Sequence, residues 1–315
     1  MPAFIYICTM YKVIYLIFFS FLPFSMFSQD TLMPIIFLDD VVISEENNGF
    51  SIEDFVEYVK QDTTFYMAFK HLRYYTHKYN SELNIFDKKG NQKAVLKKWG
   101  THYTLDNKAW IVNDSVYHSG RLFKKNGDNR YYTVEAFDDI FFPNDTINVS
   151  LKISKEKNEN ESKDMRDART IGFSIGSDDT EQKKGGASKK LAIFDISMQQ
   201  YYDYIISDTI YKNKDCYSFI VQIKENLSSK DKKEALIRKI VSFFDKENFH
   251  IMYREYEFVY NHLLFDLDMN VAVYMDYVNK KHVPVYIYYK GFWKVVFYKS
   301  ERSEFILRNE DYIVN

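Results

Sequence analysis

Apolar positions change period along the chain. Ile52, Phe55, Val56 and Val59 recur at the spacing of one helix face, and Ser51 with Asp54 forms a capping-box pattern ahead of them. A second stripe at Phe65, Ala68, Phe69 and Leu72 runs on to Tyr75 and Tyr79, with Asp62 as its N-cap. Two consecutive amphipathic helices are therefore predicted. From Leu83 the alternation becomes that of a strand. LNIFDKKGNQKAVLKKW reads as a hairpin turning at DKKGN, KAWIVNDSVYHSG as a strand pair about NDS, and RYYTVEAFDDIFFPND as further β-structure ending at Pro143 and Asn144.

The C-terminal half alternates most clearly. The inward runs are Phe219, Val221 and Ile223; Phe249, Ile251 and Tyr253; Val283, Val285, Ile287 and Tyr289; and Trp293, Val295 and Phe297. NLSSKDKK, FDKEN, YVNKKH and YKG separate them at hairpin lengths, which predicts an antiparallel meander. ALIRKIVSFF fits either period, and the turn-like FDKENF after it favours a strand. Between the halves, residues 152–190 are dense in charge, Gly and Ser and nearly free of aromatics. Such a segment buries too little apolar surface to offset its ordering entropy, so a flexible insertion is expected. The fold class read from this pattern is α+β: two N-terminal helices packed on a curved, mainly antiparallel sheet, an incomplete barrel, with a long disordered insertion. Residues 30–315 are read as one domain.

Composition adds a compartment. An uncharged apolar run between Lys12 and Gln29 is shorter than the roughly 20 residues of a spanning helix but suits a signal segment. Residues 1–28 are read as a signal peptide cleaved near Ser28, with Met10 as an alternative start. Export to the periplasm or cell envelope follows. Cys8 would leave with that segment, so Cys216 would have no intrachain partner and is read as a buried structural thiol. The chain holds 42 Lys and Arg against 44 Asp and Glu, with no basic face, which argues against nucleic acid as a partner.

QDTTFYMAFKHLR at 61–73, IFDISMQQYYDY at 193–204 and YKNKDCYSFIVQIK at 211–224, with the signal segment, FDKENF and LLFDLDMNV, resemble a family of exported proteins of Bacteroidota that has no assigned activity. The helix-then-sheet order also resembles, in architecture alone, the lipoprotein-carrier (LolA-like) fold, whose half-open barrel holds acyl chains. That resemblance implies a lipid or lipoprotein ligand.

Motifs of catalysis are sparse. GFSIG places Ser174 in a nucleophile-elbow pattern, but charged loop-like sequence surrounds it where a strand and a helix are required. His71 and His77 are six apart, on different faces of a helix, and no zinc-type spacing occurs. Asp266 and Asp268 share a strand face, and Phe265 and Leu267 take the other, which suits a solvated outer surface. The sequons NDT, NVS, NES and NLS are chance in an Asn-rich chain. No catalytic, cofactor or metal residue is assigned. The expectation is a non-enzymatic envelope protein that binds a lipid, an acylated protein or another hydrophobic ligand, lined by Phe219, Val221, Phe249, Ile251, Val285 and Ile287. The alternatives are a structural or protein-interaction module of the envelope, with an envelope protein as partner, and a hydrolase using Ser174 or Asp266 and Asp268.

Overall fold

The computed structural model describes residues 72–142, 145–149, 190, 193–262, 265–295 and 300–313. The chain divides into units Met1–Val41 and Val42–Asn315, and every described residue lies in the second. The signal segment, the first expected helix, most of the second, Ser174 and residues 152–189 lie outside the described residues.

Eleven strands form one antiparallel sheet: β1 (Thr76–Phe86), β2 (Gln92–Leu105), β3 (Lys108–Gly120), β4 (Ile147–Asn148), β5 (Tyr202–Tyr211), β6 (Lys214–Ile223), β7 (Ile237–Asp245), β8 (Ile251–His262), β9 (Phe265–Val278), β10 (Lys281–Val295) and β11 (Glu301–Ile313). Their order is β4-β3-β2-β1-β11-β10-β9-β8-β7-β6-β5. Two meanders are thus joined edge to edge, the N-terminal one through β1 and the C-terminal one through β11. Among the described residues three helices accompany the sheet, α1 (Tyr132–Phe141), α2 (Ile196–Gln199) and α3 (Asp231–Glu234).

This corrects the α+β expectation. Among the described residues the molecule is nearly all antiparallel sheet, with no pair of N-terminal helices packed on it. Where the second expected helix enters the described residues, Thr76 to Tyr79 open strand β1 and pair with β11 and β2. Tyr75 and Tyr79 match a helical spacing by coincidence, because Tyr79, Leu83 and Ile85 also share a strand face. YTVEAFDDIF, read as β-structure, is helix α1. KAWIVNDSVYHSG is one continuous strand with a bulge at Asp114 rather than a pair about NDS. YKG is likewise no turn, since β10 runs through it.

The turns explain why the meander closes tightly. Asp106 and Asn107, Lys212 and Asn213, and Asn279 and Lys280 form two-residue connections in which both residues have positive φ, between 46° and 65°. That is the type I′ geometry whose twist matches the flanking strands. Asn tolerates the left-handed region better than most non-Gly residues, and each turn carries one.

A single apolar cluster covers one face of the sheet, with members on β1, β2 and β5 to β11 together with α1 and the segment leading into α2. Phe305 is its hub near the β1–β11 seam, with Phe137 stacked at 4.3 Å and Phe141 at 5.4 Å. The middle strands are buried on both faces. On the face opposite α1, Phe243 stacks on Tyr253 at 5.2 Å, and Tyr274 meets Tyr253 edge-on at 4.9 Å. This double burial explains the near-continuous apolar runs IVSFF and VAVYM.

Candidate functional site

The site inferred from sequence falls on the face that bears α1. Phe219 and Val221 on β6, Ile251 at the start of β8 and Ile287 on β10 are all buried there in the one cluster. Phe249 stands in the β7–β8 turn at φ 60°, half-buried, and stacks on Tyr217 at 5.9 Å. Val285 does not join them. It is the extra residue of a β-bulge, since Pro284 pairs with Met275 and Tyr286 with Tyr274.

That bulge also reverses the phase of β10. Ile287 and Tyr289 face the cluster with Val273 and Val271 opposite them, whereas Val283 pairs with the exposed Asp276 on the other face. A second bulge acts alike at Met252: Phe244 pairs with Ile251 and Phe243 with Tyr253, so Tyr253 leaves the α1 face and Arg254, Tyr256 and Phe258 continue it. Neither phase change is legible from alternation. The bulge in β10 is fixed by β11, where Asn309 Nδ2 donates to the Pro284 carbonyl at 3.1 Å and the Tyr312 hydroxyl to the same oxygen at 2.9 Å.

The sequence reading missed the aromatic wall over the seam. Helix α1 presents Phe137 and Phe141 to Phe305, and Phe137 also meets the ring of Tyr289 at 5.0 Å. Tyr289 folds back over Gly291, where a Cβ would overlap its ring, and accepts a hydrogen bond from Trp293 Nε1. Glycine is therefore required at 291 to let the tyrosine lie flat on the strand. The signal for the helix was present in the spacing of Val134, Phe137 and Phe141, which repeats at three and four residues.

Polar groups hold α1 in place. No side chain of the preceding Tyr131 caps the helix. The cap instead comes from Glu301 on β11, whose carboxylate accepts from the Tyr132 N–H at 2.8 Å, the Thr133 N–H at 3.2 Å and the Thr133 hydroxyl at 2.9 Å. Glu301 is buried, and burial raises its pKa above the ordinary carboxylate value although these donors act against it. Further along α1, Asp138 accepts from Lys98 of β2 at 2.7 Å. Burial raises the Asp138 pKa as well, and the Lys98 charge offsets part of that rise. One guanidinium enters the same face in mid-sheet: Arg254 is buried, and its Nε donates to Ser242 Oγ at 3.0 Å.

The other residues weighed from sequence lie apart from this cluster. Asp266 and Asp268 are on the opposite face of β9, Asp268 exposed and Asp266 in an ion pair with Lys294 at 3.0 Å. Cys216 is a fully buried free thiol whose pKa is raised by burial. His77 stacks against His102, and no group of three or more ligating side chains occurs among the described residues.

No protein-family model matches the chain. No curated protein matches it in sequence either. Similar solved structures do exist. A DUF1329 family protein from Desulfovibrio piger is 11% identical, with 82% of this chain and 93% of that one covered and a TM-score of 0.25. A putative outer membrane lipoprotein-sorting protein domain from Vibrio parahaemolyticus is 9% identical, with coverage of 79% and 90% and a TM-score of 0.25. Lipovitellin, solved for its lipid–protein interactions, is 8% identical over 76% of this chain and 25% of its own, with a TM-score of 0.24. At that distance none of the three bears on what this chain does.

Proposed function

We propose that the protein is an exported envelope protein that holds a lipid, the acyl chain of an acylated protein or another hydrophobic ligand on the α1 face of its sheet, without catalysing a reaction. The observation that carries this reading is the breadth of the apolar cluster. It runs from Tyr79 on β1 to Tyr202 on β5 without leaving the one face. Short α1 lies across the seam end of that face, while Phe194, ahead of α2, stacks on Tyr204 and Phe219 at the far end. An acyl chain matches such a surface because its binding energy is proportional to apolar area and asks for no particular polar partner. The apolar run ahead of Gln29 supports export, which would put the protein among acylated envelope components. The test is native mass spectrometry, with lipid extraction, of the protein as its own cell processes it. A bound acyl species of defined stoichiometry is expected, and protein that is ligand-free throughout contradicts the reading.

A further inference from the structure

Two connections meet at one end of the sheet. Gly120 closes β3 opposite Ala94, so the segment that follows β3 begins beside the β1–β2 turn. Residues 122–130 then form a small hairpin held by its own backbone. The Arg130 N–H donates to the Leu122 carbonyl at 2.8 Å, the Lys124 N–H to the Asp128 carbonyl at 2.8 Å and the Gly127 N–H to the Lys124 carbonyl at 3.1 Å. Leu122 is buried in the main apolar cluster and pins the base of this hairpin. Phe123, the next residue, points the other way and is 43% exposed, with its ring edge-on to His118 at 5.5 Å.

Charge is concentrated at this end. The β1–β2 connection carries Lys88, Lys89 and Lys93 against Asp87, and the segment after β3 carries Arg121, Lys124, Lys125 and Arg130 against Asp128. Seven cations thus stand with two carboxylates, in a chain whose formal net charge is −2. All seven are exposed, and among the described residues only Lys93 forms an ion pair, with Asp87 at 2.9 Å. The two groups converge at Tyr131: burial raises its pKa, and the charges of Arg130, Lys93 and Arg121 act against that rise. Neither run is a basic face by itself in the sequence, and the fold puts them together. Cations spread over two exposed turns suit an extended anionic surface better than one small anion. An exposed phenylalanine among them adds an apolar contact that the acyl boundary of a bilayer rewards, and basic residues beside an aromatic one are the mark of a lipid-interface binder. Duplex nucleic acid would engage the cations and leave Phe123 in water.

We propose that the end of the sheet formed by the β1–β2 turn and the 122–130 hairpin docks on a membrane of anionic lipids, with the lysines and arginines against the headgroups and Phe123 entering the acyl boundary. This docking does not require a ligand on the α1 face. The experiment is flotation of the protein, purified as its own cell processes it, with vesicles of phosphatidylcholine alone or with about 30% phosphatidylglycerol, at roughly 0.1 M salt. Binding to the anionic vesicles and not to the neutral ones is expected, and it weakens about tenfold or more at roughly 0.5 M salt. Lys124→Glu combined with Lys125→Glu weakens it about tenfold or more, and Phe123→Ser weakens it severalfold while leaving the salt dependence in place. These side chains are exposed and the hairpin is closed by backbone hydrogen bonds, so unchanged thermal melting separates lost docking from lost folding. Acyl occupancy of the charge-reversed variant, read by native mass spectrometry, reports on the α1 face separately, so either reading can fail alone. The proposal is overturned by equal binding to neutral and anionic vesicles, by binding to neither, by full binding of the charge-reversed variant, or by tighter binding of a double-stranded DNA oligonucleotide than of the anionic vesicles.

Discussion

His77 and His102 are packed face to face on neighbouring strands, with ring centroids 4.9 Å apart and the ring of Tyr312 at 4.8 Å on the other side of His77. The His77 Nδ1–H donates to the Tyr75 carbonyl at 2.9 Å, which fixes its tautomer. Both rings are buried, and burial, with mutual repulsion adding at His77, lowers their pKa from 6.5 to about 3 for His77 and about 4 for His102. A histidine whose folded pKa is depressed contributes stability in full above its unfolded value and loses it as pH falls toward the folded one. Stability to denaturant should therefore fall as pH drops from 6.5 toward 4, and His102→Gln should flatten that fall; a profile identical in the variant would remove the pair from the account. Glu301 and Asp138 run the other way, because burial raises their values and so favours the fold at low pH. At this scale the sequence was informative for burial and poor for direction. Phe219, Val221, Ile251 and Ile287 were legible as inward residues from alternation alone. Val285 and Tyr253 were not, because a single inserted residue at each bulge turns the following side chains to the other face.

Helix α1 depends on a strand for its start. The N-terminal N–H groups of a helix need acceptors, and here a buried carboxylate from β11, far away in sequence, supplies them. Removing it leaves those donors buried and unpaired. Glu301→Ala is expected to destabilise the fold by about 2 kcal/mol, and Glu301→Gln by about half as much, read by chemical denaturation. An equal loss in both variants would show that charge rather than acceptance of hydrogen bonds is what matters. The dependence also explains why the start of α1 was not legible: the spacing of Val134, Phe137 and Phe141 is helical, but the residue before the helix gives no capping signal. The strands β6, β7 and β8 were recognisable, including the ambiguous ALIRKIVSFF, since β-branched and aromatic residues crowd between turn residues there. The type I′ turns at Lys212 and Asn213 and at Asp106 and Asn107 lack the glycine that makes such connections conspicuous in a sequence.

Among the described residues, the sheet is joined by one long-range seam. β1 and β11 pair along nearly their full lengths, from Thr76 opposite Ile313 to Phe86 opposite Arg302. Every other neighbouring pair in the sheet is consecutive in the chain. No pattern of apolar residues encodes that pairing, so an antiparallel meander was legible and its closure was not. Phe305 lies on this seam beneath Phe137 and Phe141. Phe305→Ala is expected to cost about 4 kcal/mol, measured by denaturant unfolding, because the cavity would open where the two meanders and α1 meet. A loss under about 1 kcal/mol would mean that the seam is not packed as described. The same apolar face is the surface proposed for a hydrophobic ligand, and one comparison tests that claim most directly. Native mass spectrometry with lipid extraction is carried out on the protein as its own cell processes it and on Ile287→Lys, which sets a charge in mid-face. The account predicts an acyl species at fixed stoichiometry on the first and its loss from a folded second. Unaltered protein that carries no ligand, or equal occupancy in the folded variant, would contradict it.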